Sequence, residues 1–200
     1  FNAGSSPAAL TLSYYPQGNP AQPSTITATL QPGEVRAFDN FIETNFNKKA
    51  TAGSLVVTSA APANIVATAK TYTASATGTF GQFIPGVTPD QSIAAGSPAL
   101  QILQLEQSGR FRTNIGVAET SGKPAVAEIA VIVPGAKTVP RIQIPLAANE
   151  FRQISLLDFN LGTVYNARAT VKVMSGTGTV TAYGSVIDQL TQDPTYVPAQ

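Results

Sequence analysis

The sequence predicts an all-β protein built as two antiparallel β-sandwich domains in tandem, the first lacking its leading strands. Three observations carry that prediction. Apolar residues recur at spacing two rather than 3.6 along most of the chain, which is the period of a half-buried strand and not of a helix. Clusters drawn from 15 Pro and 16 Gly separate these runs, at intervals of roughly 8 to 12 residues, as in sandwiches. The chain also matches itself at an offset near 116 residues, a period that implies two domains of one fold rather than one solenoid turn.

Taken in order, Leu10, Leu12 and Tyr14 line one face of a first strand. Ile26, Ala28 and Leu30 line a second, Leu55 and Val57 a third, and Ile65, Ala67, Ala69 and Thr71 a fourth. Between them lie Pro16 to Pro23, Gln31-Pro32-Gly33 and Ser59 to Ala63, whose Pro and Gly set turns and are excluded from central strands. Ala74 to Pro98 lacks clean alternation and reads as linker plus domain entry, with room for one short helical turn at Asp90 to Ala95. The alternation resumes at Leu100 and Ile102, then at Phe111, Thr113, Ile115 and Val117. It continues through Ala127 to Val133, Ile142 to Leu146, Ala167 to Val173, and Val180 to Val186.

The self-match orders these strands into two copies. Leu30 to Arg36 (LQPGEVR) lies over Leu146 to Arg152 (LAANEFR), bringing Glu34 onto Glu150 and Arg36 onto Arg152. Leu12 falls on Ile129, Tyr14 on Val131, Leu55 and Val57 on Val171 and Val173, and Phe83-Ile84-Pro85 on Tyr196-Val197-Pro198. The implied domains are residues 1–85 and 86–200. Residue 1 then matches residue 118, so the first copy has no counterpart of Ala99 to Val117, which reads as two strands in the second. Three accounts fit: a longer tandem protein trimmed before Phe1, a naturally shorter variant, or strands supplied by a neighbouring molecule.

Composition narrows the chemistry. Charged residues make up 12% of the chain, 12 basic against 11 acidic for a net charge of +1, about half the usual share. That balance gives no field for binding nucleic acid. His, Cys and Trp are absent, which removes the usual general base, the thiolate nucleophile and the ordinary zinc ligands. No apolar run approaches the ~18 residues of a membrane span, and no basic-plus-apolar leader is present. The chain starts at Phe1, which reads as processing or as a piece of something longer.

Few residues invite a functional reading. The shared pair Glu34 and Arg36, with Glu150 and Arg152, reads as a ligand clamp or as a strand-face ion pair flanking a buried Val35 or Phe151. Asp158 and Asp39 stand at strand-to-loop corners, where a turn cap outweighs a Ca²⁺ ligand because no DxDxDG spacing occurs. Asp188 and Asp193 are equally weak ligands. Ser175 to Val180 (SGTGTV) is a hairpin turn rather than a phosphate loop, since no helix pattern follows. No S-x-x-K occurs for a Ser nucleophile. Six Tyr offer sugar-stacking rings, although strand and corner positions suit them to packing. No catalytic, cofactor-binding or metal residue is assigned, and no cofactor is expected.

The PxxLTLSYYP strand, the LQPGE turn and the strings GTFGQFIPG and DPTYVPA resemble the tandem Ig-like β-sandwich repeats of secreted and cell-surface bacterial proteins. The resemblance covers nearly the whole chain and transfers no catalytic residue. It implies a non-enzymatic structural or adhesive role outside the cytoplasm, with self-association or neighbouring repeats as partners and filament assembly by strand addition as one form. A carbohydrate-binding module that takes a surface glycan, or a hydrolase accessory domain, is the alternative.

Overall fold

A computed structural model describes residues 1–76 and 78–200. Strand accounts for 53% of the chain and helix for 8%, in several antiparallel sheets with no barrel among the described residues. The all-β prediction therefore holds. The chain forms two compact units, Phe1–Thr68 and Ala69–Gln200.

In the first unit, β1 (Ala8–Pro16), β2 (Ser24–Leu30) and β3 (Gly53–Ser59) form one antiparallel sheet in the order β2-β1-β3. Ala8, Leu10, Leu12 and Tyr14 are buried on alternate positions of β1, as the period-two pattern requires. A short helix α1 (Phe41–Phe46) lies between β2 and β3. Asn40, its N-cap residue, donates from its side chain to Glu43, and Asn47 ends it in the left-handed conformation. Phe41 meets Phe38 and Phe46 edge-on, and Phe46 stacks on Tyr14 at 6.2 Å between centroids. The helix thereby lids the apolar face formed by Ala8, Leu10, Leu12 and Leu30.

In the second unit, β4 (Thr68–Ser75), which begins at the boundary, and β5 (Gly78–Pro85) form a two-stranded sheet. The other strands are β6 (Leu100–Gln107), β7 (Phe111–Glu119), β8 (Ala125–Ile132), β9 (Arg141–Leu146), β10 (Phe151–Ser155), β11 (Val164–Gly176), β12 (Val180–Asp188) and β13 (Pro194–Pro198). They form two four-stranded sheets, β10-β7-β12-β13 and β6-β11-β8-β9. One core joins them. Ile102, Ile115, Ile129, Val171 and Val180 are each fully buried in it, and burying such a side chain contributes about 1.5 to 3 kcal/mol. The stretch Ala74 to Pro98, read from sequence as linker, instead contains β5 and a 3-10 turn at Pro89–Gln91. β5 was missed because its consecutive Phe-Gly-Gln-Phe-Ile packs with no clean alternation. Ser185 Oγ donates to Gln82 Oε1 at 2.9 Å and Gly81 N to Asp193 Oδ1 at 3.4 Å, joining β5 to β12 and to the start of β13. The unit boundary accordingly falls after Thr68, upstream of the Pro85 expected from the repeat.

The two units repeat each other in hydrogen-bond register. Ala8 faces Leu30 and Leu12 faces Ile26 in the first, as Ala125 faces Leu146 and Ile129 faces Ile142 in the second. The third strand corrects the sequence match. Leu12 faces Val57 while Ile129 faces Val171, so Val57 corresponds to Val171 and not to Val173. The slip of two keeps the same sheet face. Its source is the connection, a six-residue α1 where the second unit has a four-residue 3-10 turn at Leu156–Phe159.

Candidate functional site

The charged pairs shared by both copies are turn clamps. Glu34 Oε2 accepts from Gln31 N at 2.7 Å, and Glu150 Oε2 from Ala147 N at 2.8 Å. In each turn the backbone closes with Glu34 N on Gln31 O and Glu150 N on Ala147 O. Gly33 (φ 74) and Asn149 (φ 58) hold the left-handed position just before the glutamate, the conformation that favours those two residue types. Arg36 and Arg152 bond the outer carboxylate oxygens. Backbone donation from Gln31, then the Arg36 side chain, holds the Glu34 carboxyl below its ordinary range. Both carboxylate oxygens are thus occupied internally, which leaves little for a ligand.

One part of that reading is corrected. Phe151 is buried at 9% exposure, but Val35 is 75% exposed. Phe151 lies on β10, which pairs with β7. Residues 35–38 form no strand, because no counterpart of β7 lies beside them among the described residues.

The repeat also pairs two buried polar side chains that sequence reasoning passed over. Asn2 and Glu119 are each 1% exposed, and both bond the turn glutamate's carbonyl, Asn2 N to Glu34 O at 3.0 Å and Glu119 N to Glu150 O at 2.9 Å. Asn2 donates from Nδ2 to the carbonyls of Ser6, Leu30 and Gln31 and accepts from Gly4 N. The Glu119 carboxylate only accepts, from Ser121 N and Oγ, Gly122 N and Asn149 N. Burial pushes the Glu119 carboxyl up, but the Ser121, Asn149 and other backbone donors outweigh it, and the net shift is downward. The signal available in sequence was their common position, 117 residues apart, ahead of the alternating run of each copy.

The remaining candidates serve the backbone as well. Asp158 Oδ2 accepts from Ser155 N at 2.9 Å and caps the 3-10 turn. Its counterpart is Glu43 in α1 rather than Asp39, whose carbonyl accepts from Thr44 Oγ1. Asp188 is held down in pKa chiefly by Leu190 N, and it pairs with Arg110 at 3.3 Å. Gly176 (φ 95) and the Thr177 and Gly178 amides, both on Pro124 O, make SGTGTV a tight strand connection. Among the described residues no group of three or more Asp or Glu converges to hold a metal ion, and no helix is long and apolar enough to cross a membrane.

Aromatic rings form a row across one face of the second unit. Tyr183 stacks on Phe151 at 6.3 Å and on Tyr196 at 5.1 Å, with interplanar angles of 7° and 19°. Tyr183 lies between the other two and is half-buried. Burial and then the neighbouring Tyr196 push its hydroxyl pKa to about 12. A depression of about 400 Å³ opens beside Leu103, Gln104 and Arg168, whose guanidinium bonds Gln101. It holds no acid and base together.

One sheet edge distinguishes the two copies. β3 ends its sheet, and among the described residues no strand pairs with it on the side away from β1. Its counterpart β11 is internal, with β6 on that side. No family model matches this chain, and no curated protein or solved structure matches it.

Proposed function

We propose that the protein is a non-enzymatic structural or adhesive module that works outside the cytoplasm and joins its neighbours by strand addition. The observation that carries this reading is the contrast between two copies of one fold. The second pairs its β11 edge with β6, and among the described residues no strand pairs with the same edge of β3. Native proteins protect exposed strand edges, because unpaired N–H and C=O groups template pairing with another chain. An open edge that recurs head to tail builds filaments unless the rotation closes. The surface suits such a role. It is poor in charge, and its shared ion pairs are engaged in turns.

Native mass measurement with electron microscopy of the purified protein tests this. Polymers or strand-paired oligomers are expected. Turnover of a polysaccharide or an ester by the pure chain would overturn the non-enzymatic reading, and glycan binding lost on Tyr196→Ala would replace it with sugar recognition.

A further inference from the structure

We infer that the depression on β6, β8 and β11 binds an N-acylated aliphatic amino acid, the chemistry of a free acyl amino acid or of a peptide's carboxy-terminal residue. The site lies wholly in the second unit and stands apart from the assembly reading. Its frame is a pair of opposed bulges. Ala169 faces Ile102 and Ala167 faces Leu105, which sets Leu103 and Gln104 of β6 against Arg168 alone. Val164 faces Gln107, which sets Tyr165 and Asn166 of β11 against Glu106 alone. Each bulge holds a non-glycine residue in the left-handed region, Gln104 at φ 57 and Asn166 at φ 51. Asparagine visits that region with some ease, whereas glutamine gains nothing there. Both residues line the same depression of about 400 Å³, together with Leu103, Ile132, Pro134 and Arg168. Bulges re-aim side chains, and strained backbone gathers at binding sites.

The lining chemistry selects the ligand. Arg168 Nη1 donates to Gln101 Oε1 at 2.7 Å, and Gln101 Nε2 in turn donates to Ala99 O at 3.2 Å. Gln101 thus fixes one corner of the guanidinium. No carboxylate pairs with Arg168 among the described residues. The acids on the three strands are engaged elsewhere, Glu106 with Ser108 and Glu128 with Arg141. A guanidinium fork matches one carboxylate, whereas a phosphate, with about −1.5 to −2 charge at neutral pH, needs more than one cation. Leu103, 48% exposed, joins Ile132 and Pro134 as an aliphatic wall. The side-chain amides of Gln104 and Asn166 bond no other group among the described residues, and each can pair with an amide of the ligand. Charge, amide and aliphatic body are the three features of an acylated leucine. The first unit lacks the arginine, since register places Ser54 where Arg168 stands.

The test is titration of the full, isotope-labelled chain with N-acetyl-L-leucine, read by NMR. Saturable shifts are expected at the amides of Leu103, Gln104, Ile132, Asn166 and Arg168, with none in β3. N-acetyl-L-leucinamide, which lacks the charge, and acetate, which lacks the aliphatic body, should each bind at least tenfold more weakly. Arg168→Gln, at an exposed position, should weaken binding about tenfold or more while the remaining amide signals stay in place. Gln104→Gly keeps the left-handed backbone and removes the amide, so binding should weaken while the urea midpoint does not fall. The peptide Gly-Gly-Ala-Leu separates the two sources. Tighter binding than N-acetyl-L-leucine assigns the site to peptide ends, and weaker binding assigns it to the free acyl amino acid. No saturable shift, an equal response to inorganic phosphate, or full affinity in Arg168→Gln would overturn the site.

Discussion

Asn2 and Glu119 show one position solved with opposite polarity. Each is buried at the same place in its unit, and each bonds the carbonyl of the turn glutamate. Asn2 faces mostly carbonyls and donates, whereas Glu119 faces amides and a hydroxyl and accepts. Glu119→Gln therefore turns an amide donor toward N–H groups, and Glu119→Ala leaves three backbone donors without their acceptor. Each unsatisfied buried group costs ~1 to 3 kcal/mol. Glu119→Ala is expected to lower the stability of the second unit by about 2 to 4 kcal/mol in urea denaturation, with Glu119→Gln close behind. The sign with pH follows from the depressed carboxyl. Its contribution is complete above its unfolded value near 4.5 and is lost as pH falls through the lower folded value. Stability of the second unit should fall below about pH 4 in the parent and fall less steeply in Glu119→Gln, measured as urea midpoints across pH. In the turns, Glu150→Ala should cost about 1 to 3 kcal/mol through the lost Ala147 bond, and Arg152→Ala only ~0 to 1 kcal/mol. Equal losses would show the ion pair, and not the turn cap, to be the stabilising contact.

At the scale of elements, strands were legible and their partners less so. The Leu10, Leu12, Tyr14 and Ala127, Ile129, Val131 runs declare themselves because each faces a core on one side only. α1 gives no such sign, since six residues are too few for a helical period and its aromatics gather over Tyr14 through tertiary contact. Glu119 was illegible for a related reason, because its donor Asn149 N lies 30 residues away. The turn glutamates were visible as a repeated pair, but their backbone bonds were not. The aromatic row adds a case that sequence hides altogether. A Cβ on Gly116 would meet the Tyr183 ring at 2.2 Å, so the glycine makes room for a ring from the adjacent strand β12. Gly116→Ala is expected to cost about 1 to 3 kcal/mol by overpacking. Gly116→Ala combined with Tyr183→Ala should be no less stable than Tyr183→Ala alone, and a full additive loss in denaturation would sink this account.

At the scale of the whole molecule, the duplication yields two units of unequal core. The second unit buries 20 residues in one cluster, whereas the first buries four, with α1 as a partial lid. A domain of ~60 residues is already marginal, because it hides only about 60% of the surface its unfolded chain exposes. Among the described residues no strand pairs with β3 on the side away from β1, and an edge strand opens more readily than an internal one. Denaturant slopes scale with the surface exposed on unfolding, so urea should resolve two transitions, the earlier one shallower. Residue-level hydrogen exchange would assign them. Amides of β1 should report the earlier transition and amides of β8 the later, although the two strands share register and pattern. Coincident transitions in β1 and β8 would mean that the first unit draws its stability from something other than its own core. Separate transitions would locate its deficit in missing strands, since its β1 and β2 pair in the same register as β8 and β9.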